Sequence, residues 1–328
     1  MWAALFPGQG SQSVGMGKFL FENFQVAREC FEEASDTLKI NFKQICFEDP
    51  GQVLQLTEYT QPALLLVSTA TFRVVQSISR LNIAAGAGHS VGEYSAIVAA
   101  NVITLADGLR AVRHRGQEMQ KAVPVGQGAM AALLGLEDEM VLKLCRWTEA
   151  SSGFGPLEAA NFNSPGQVVI SGQSQALNWL REKLKNSEEI QTVLEMEQIP
   201  RLKIIPLAVS APFHCSMMQP AEEAMRIHLQ ALEFSNADWP VVQNVNARET
   251  TSGDEIRDRL IEQISRSVLW TQSVFRLKDL NCTNFIEFGA GKVLSGLSKK
   301  IDSEASAPFN INTLDDLKKL ELALNEDR

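Results

Sequence analysis

The sequence predicts an α/β protein: a large layered domain with a mostly parallel sheet, interrupted by a smaller inserted subdomain. Three observations lead there. Short apolar runs end in glycine turns that open onto helical spacing, at Trp2–Gly10 and again at Leu81–Gly88. A β-α-β-β-α-β pattern occupies Ala129–Leu207. The length of 328 residues suits about two domains or one large domain with an insertion.

In order, WAALF is a first strand running into the turn Pro7-Gly8-Gln9-Gly10-Ser11-Gln12. Phe19, Phe24, Ala27 and Phe31 recur at three- to five-residue intervals and predict one helix from about Val14 to Ala34. A second helix starts near Tyr59, with Pro62 tolerable in its first turn. The small apolar run Leu81–Ala87 is a buried strand, and helical spacing resumes from Glu93 to Val102. In the insert, strands at 129–136, 157–161, 167–172 and 202–207 alternate with helices ending near Thr148 and Lys185. That order is ferredoxin-like. The expected division is therefore 1–127 and 208–328 for the large domain and 128–207 for the insert. A tail helix over 313–324 opens on Thr313 and Asp316, the spacing of a capping box.

Composition narrows the class. Hydrophobic residues make up 45% and charged residues 21%, enough apolar material for a core and against disorder. The net charge of −9 argues against a general nucleic-acid binder. Five scattered cysteines without a CxxC pair support neither a disulfide framework nor a thiolate zinc site. The N-terminus has no basic start or long apolar stretch of a secretory signal. No apolar run approaches the roughly 18 residues of a membrane span. The expectation is a reduced cytoplasmic enzyme, monomeric, without metal or cofactor, binding neither nucleic acid nor membrane.

Chemistry concentrates at Gly88-His89-Ser90-Val91-Gly92, a G-x-S-x-G pattern. The serine of such an elbow sits on a tight strand-to-helix turn where bulkier flanks would clash, as in hydrolase-like α/β domains. The turn exposes the Ser90 hydroxyl and aims the Val91 N–H and the helix N-terminus at an oxyanion beside it. A serine needs a base, and four histidines are available. His89 adjoins the nucleophile and should point away into packing. His114 lies in a basic helical run and His228 in the helical stretch AEEAMRIHLQAL, where partial exposure is the plain reading. His214, in AVSAPFHCSMMQP, follows a strand-like segment and a proline, on a loop where catalytic groups gather in open α/β sheets.

Six motifs then occur in order: FPGQGSQ at 6–12, TQPA at 60–63, GHSVGEY at 88–94, Arg115-Gly116, NFNSPGQ at 161–167, and Pro212-Phe213-His214. Together they resemble the malonyl-CoA:acyl carrier protein transacylase family, which includes the acyltransferase domains of fatty acid and polyketide synthases. The resemblance runs to about Leu297. It implies Ser90 as the acylated nucleophile, His214 as base and acid, and backbone N–H groups of Gln9 and Val91 as the oxyanion hole. It implies that Arg115 receives the malonyl carboxylate, with Met119, Asn163 and Phe213 also on the substrate side. A guanidinium suits a planar anion, because two parallel charge-assisted bonds can form. No acidic third member is implied; a main-chain carbonyl holds the histidine, and the matching position is Leu269.

Phe213 before His214 and Val91 after Ser90 resemble malonyl-selective domains, since a phenyl ring leaves little room for an α-methyl. Such crowding is worth only about 1–3 kcal/mol, a preference and not a gate. The partners implied are malonyl-CoA and an acyl carrier protein, the latter docking on Arg113, Lys292, Lys299 and Lys300. Two rivals remain: an acyl-carrier-protein hydrolase of the same fold, and a non-catalytic docking subunit. Retention of Arg115 disfavours the first. The second has no use for Ser90, His214, Arg115 and the Gln9 loop together.

Overall fold

The computed structural model describes residues 1–79, 81–185, 187–197, 202–209, 211–304 and 307–326. Ten strands among them are β1 (Trp2–Phe6), β2 (Ile83–Gly88), β3 (Gly128–Leu134), β4 (Leu157–Ser164), β5 (Gln167–Gln173), β6 (Lys203–Pro206), β7 (Val241–Val242), β8 (Glu249–Thr250), β9 (Asn284–Glu287) and β10 (Phe309–Asn310). Six form one sheet in the order β10-β9-β1-β2-β7-β8. All neighbours in it run parallel except β7 and β8. The fold class is thus α/β with a mostly parallel, hydrolase-like sheet.

β1 and β2 are small-residue or apolar throughout and almost wholly buried, as strands covered on both faces must be. Helices Thr57–Ser79, Val91–Ala99 and Leu105–Lys121 pack on one another and on the sheet. On the other face Val268, Trp270, Val274 and Leu277 cover Ala3, Leu5, Ala85 and Ala87.

The four remaining strands make an antiparallel sheet in the order β4-β5-β3-β6, the ferredoxin-like arrangement. Helices Asp138–Ser152 and Ser174–Lys183 bury Val141, Leu144, Leu177 and Leu180 against it, in a hydrophobic cluster separate from the main core.

Two local expectations change. The helix expected over 14–34 is two helices, Lys18–Asn23 and Gln25–Leu38, separated by Phe24 in extended conformation (φ −128°, ψ 128°). The Phe24 N–H still caps the first helix on the Leu20 carbonyl, so apolar spacing continues across a break it does not reveal. The segment before His214 is not strand: β6 ends at Pro206, and residues 207–209 are irregular. The capping box is present, with Asp316 N–H on Thr313 Oγ1 and Thr313 N–H on Asp316 Oδ2.

Candidate active site

The site lies beyond the carboxyl ends of β1, β2 and β7, where open parallel sheets offer a crevice. Ser90 follows β2 with φ 53° and ψ −112°, a strained conformation held by its surroundings. A Cβ on Gly88 would overlap the Gly92 carbonyl, and one on Gly92 would overlap the Phe6 carbonyl. Only glycine at both positions lets the helix start so close to the strand. Asn244, just past β7, braces the turn: its Nδ2 donates to the Gly88 carbonyl at 2.7 Å, and its Oδ1 accepts from the Ser90 N–H at 2.8 Å.

His214 sits on the 211–215 loop at φ 59° and is 4% exposed. Its Nε2 is 2.7 Å from Ser90 Oγ and its Nδ1 is 2.9 Å from the Gln263 carbonyl. Because that carbonyl can only accept, Nδ1 carries the proton and Nε2 is left to accept from the serine hydroxyl. Burial, reinforced by the nearby Arg115 charge, pushes the His214 pKa down to about 3, so the ring is neutral at ordinary pH.

Arg115, on the Leu105–Lys121 helix, is 1% exposed. It donates to Gln61 Oε1 (2.9 Å), Gln263 Oε1 (2.9 Å) and Ser90 Oγ (3.1 Å). Among the described residues no carboxylate lies within ion-pair distance of this guanidinium. A buried cation held by neutral acceptors is poised for an anion from outside. Its contact with Oγ also favours the alkoxide. Val91 is the first residue of its helix, so its N–H has no intrahelical acceptor. A cavity of about 350 Å³ joins Gln9, Val91, Ser90, His214 and Arg115 on the large-sheet side to Met130 and Asn161 of the small sheet. Ser90, His214, Arg115, Val91 and Gln9 thus share one mouth.

Residues 4–273 match the acyl transferase domain family. A malonyl CoA-acyl carrier protein transacylase of Staphylococcus aureus (strain COL) is 40% identical over 316 residues, 96% of this chain and 97% of its own. The one from Escherichia coli (strain K12) is 41% identical over 300 residues, 92% of each chain. The crystal structure of malonyl CoA-acyl carrier protein transacylase from Clostridium perfringens superposes with a TM-score of 0.90 at 36% identity, covering 99% of this chain and 98% of that one. The chain belongs to the acyl transferase domain family.

In this acyltransferase the expected site residues do not all fall where the sequence suggested. Ser90, His214, Gln9, Val91, Arg115, Met119 and Phe213 all line the cavity. Leu269 does not hold His214: its carbonyl accepts from Ser273, and the carbonyl facing Nδ1 belongs to Gln263, at the end of the Gly253–Glu262 helix. Asn163 is not in the cavity wall. Its Oδ1 meets His89 Nε2 at 2.8 Å, while Asn161 faces the cavity. The cause is β4, which shifts register between Ala159 and Asn161 and again between Phe162 and Ser164. As expected His89 turns from the hydroxyl, against Asn163 and Trp270. The His114 and His228 rings meet at 4.9 Å, tilted by 40°, both partly exposed. Arg113 is no free docking charge, since it pairs with Glu58 at 2.7 Å and lies over the Tyr59 ring.

Sequence reasoning assigned no role to Gln61, Asn244 or Gln263. Gln61 and Glu93 stand inside the quoted motifs, which is the signal that could have singled them out. Asn244 and Gln263 had none.

Proposed function

We propose that the chain transfers a malonyl group from malonyl-CoA to the phosphopantetheine thiol of acyl carrier protein, through a malonyl-serine ester. The observation that carries this reading is Arg115: a buried, unpaired guanidinium 3.1 Å from the nucleophile's oxygen, able to fix a donor that ends in a carboxylate. The relatives' names point to the same donor and acceptor.

The chemistry follows from the distances. His214 Nε2 takes the Ser90 proton as Oγ attacks the thioester carbonyl, and the Gln263 carbonyl steadies the imidazolium that forms. Negative charge on the carbonyl oxygen falls to the N–H groups of Val91 and Gln9. On collapse, the proton on His214 goes to the departing coenzyme A thiol. The carrier's thiol then gives its proton to His214 and attacks the ester, and Ser90 Oγ recovers a proton as it leaves. Thiol replaces thiol at one carbonyl, so the balance requires no electron transfer or bound metal. Phe213 and Met119 narrow the space at the acyl chain. In this reading the protein works as a monomer in the cytoplasm and serves fatty acid or polyketide synthesis.

Intact-mass measurement after brief exposure to malonyl-CoA, acetyl-CoA and methylmalonyl-CoA tests the reading. The expected result is a malonyl adduct on Ser90, discharged by carrier protein faster than by water. Discharge to water at an equal rate would favour a hydrolase.

A further inference from the structure

One buried acid beneath the site has no role in the steps above. Glu93 occupies the first turn of the Val91–Ala99 helix and is 0% exposed. Its Oε2 accepts from the Asn244 N–H (2.9 Å) and from Gln263 Nε2 (3.0 Å), while Oε1 is buried without a hydrogen-bond partner. Burying a carboxylate is expensive, and two neutral donors recover only part of that cost.

The contacts of the carboxylate lead to Gln263. The amide nitrogen of Gln263 faces three acceptors: Glu93 Oε2, the Ser90 carbonyl (3.0 Å) and Asn244 Oδ1 (3.3 Å). With NH₂ committed to that side, Oε1 must face the other way, where it receives Arg115 Nη2. The same residue's main-chain carbonyl receives His214 Nδ1. We infer that Glu93 is a positioning residue for the transfer: through the Gln263 amide it sets the Arg115 fork and the carbonyl that orients His214.

This inference rests on the malonyl-transfer reading and adds a residue to it. The charged and titratable groups acting on Glu93 are Arg115, from the Leu105–Lys121 helix, and Tyr94 beside it on its own helix; Arg115 in turn acts on His214. Burial raises the Glu93 pKa to about 7, against the pull of Asn244, Gln263 and Arg115. Once protonated, the carboxyl no longer offers Gln263 a charged acceptor, so the fork loosens as pH falls.

The test measures the rate of malonyl loading on Ser90 between about pH 6 and pH 8 for wild type, Glu93→Gln and Gln263→Met, all full-length. Gln263→Met keeps the main-chain carbonyl and removes the amide link. Wild type should load several-fold faster above its inflection near 7 than below it. Both variants should lose that inflection and load slower by about tenfold or more, the scale of a misplaced catalytic group. The double variant should be no worse than Gln263→Met alone. Without substrate, the His214 Nδ1–H resonance should move in both variants, which a merely space-filling Glu93 would not cause. A Glu93→Gln protein that loads at the wild-type rate with the wild-type profile overturns the assignment. If neither variant folds, a wild-type profile level across the range overturns it equally. Absence of any malonyl adduct on wild type would instead sink the transfer reading.

Discussion

The Ser90 N–H donates to the Asn244 side chain, 154 positions further along the chain, at 2.8 Å. The Ser90 amide is therefore engaged, and the proposed mechanism assigns the oxyanion to the N–H groups of Val91 and Gln9 instead. Asn244 also ties the elbow to β7 through the Gly88 carbonyl. Asn244→Ala takes this partner from the buried Gly88 carbonyl, at about 1–3 kcal/mol, and from the half-buried Ser90 N–H, at less. Thermal unfolding should register that loss, and serine acylation should slow with it. An unchanged melting midpoint would show that the brace is dispensable.

Ser90→Ala and His214→Ala separate chemistry from folding. The first should give no adduct with any acyl-CoA while melting like wild type. The second should lower transfer by about 10²–10⁴-fold, the range of a lost acid–base group. His114→Ala and His228→Ala should stay within a few-fold of wild type; a collapse in either would mean that the base is misassigned.

In the proposed mechanism Arg115 reads the donor's charge. Arg115→Ala should lose malonyl loading by at least the worth of a charged hydrogen bond, about 1.5–3 kcal/mol. Acetyl loading should change little, so the malonyl-to-acetyl adduct ratio falls. Lysine at this position should restore only part of the ratio, because it lacks the fork. Equal ratios in all three proteins would remove Arg115 from donor selection.

Stability should depend on pH with opposite signs at two buried groups. His214 is held to about 3, below its ordinary 6.5, so between those values the unfolded chain binds a proton that the folded chain refuses. Its contribution is intact above the unfolded value and is lost as pH falls. His214→Gln should flatten the acid limb of melting temperature against pH. Glu93 is raised to about 7 from an ordinary 4.5, so its contribution declines as pH rises between the two. Glu93→Gln should make stability climb more steeply over that interval. Calorimetry across the range reads both.

Gly88→Ala should be among the most damaging single changes. The added methyl meets the Gly92 backbone rather than a side chain that could rotate away. A loss of about 3 kcal/mol or more is expected. A folded, active Gly88→Ala protein would mean that the elbow tolerates a wider turn.

The elbow was legible in the sequence because its steric demand selects residue types: glycine has no substitute at 88 or 92. The insert was legible through its alternation of strands and helices. Leu269 shows where such reading ends, since every residue carries a carbonyl and side-chain identity does not tell which one faces an imidazole. Asn161 and Asn163 mark a second boundary. Strict alternation treats them alike, whereas irregularities in β4 part them between the cavity and His89. Gln263 and Asn244 show a third, because neutral amides fill surfaces and networks alike and only the fold brings them under Ser90.

The order of these pieces along the chain has a consequence during synthesis. Ser90 and Arg115 precede the insert, while His214, Asn244 and Gln263 follow it. The insert, with its own hydrophobic cluster, can condense on the ribosome while the serine above it still lacks a base, a brace and a set guanidinium. Vectorial synthesis therefore makes Ser90 and Arg115 well before the imidazole, the Asn244 brace and the Gln263 contacts that complete their surroundings.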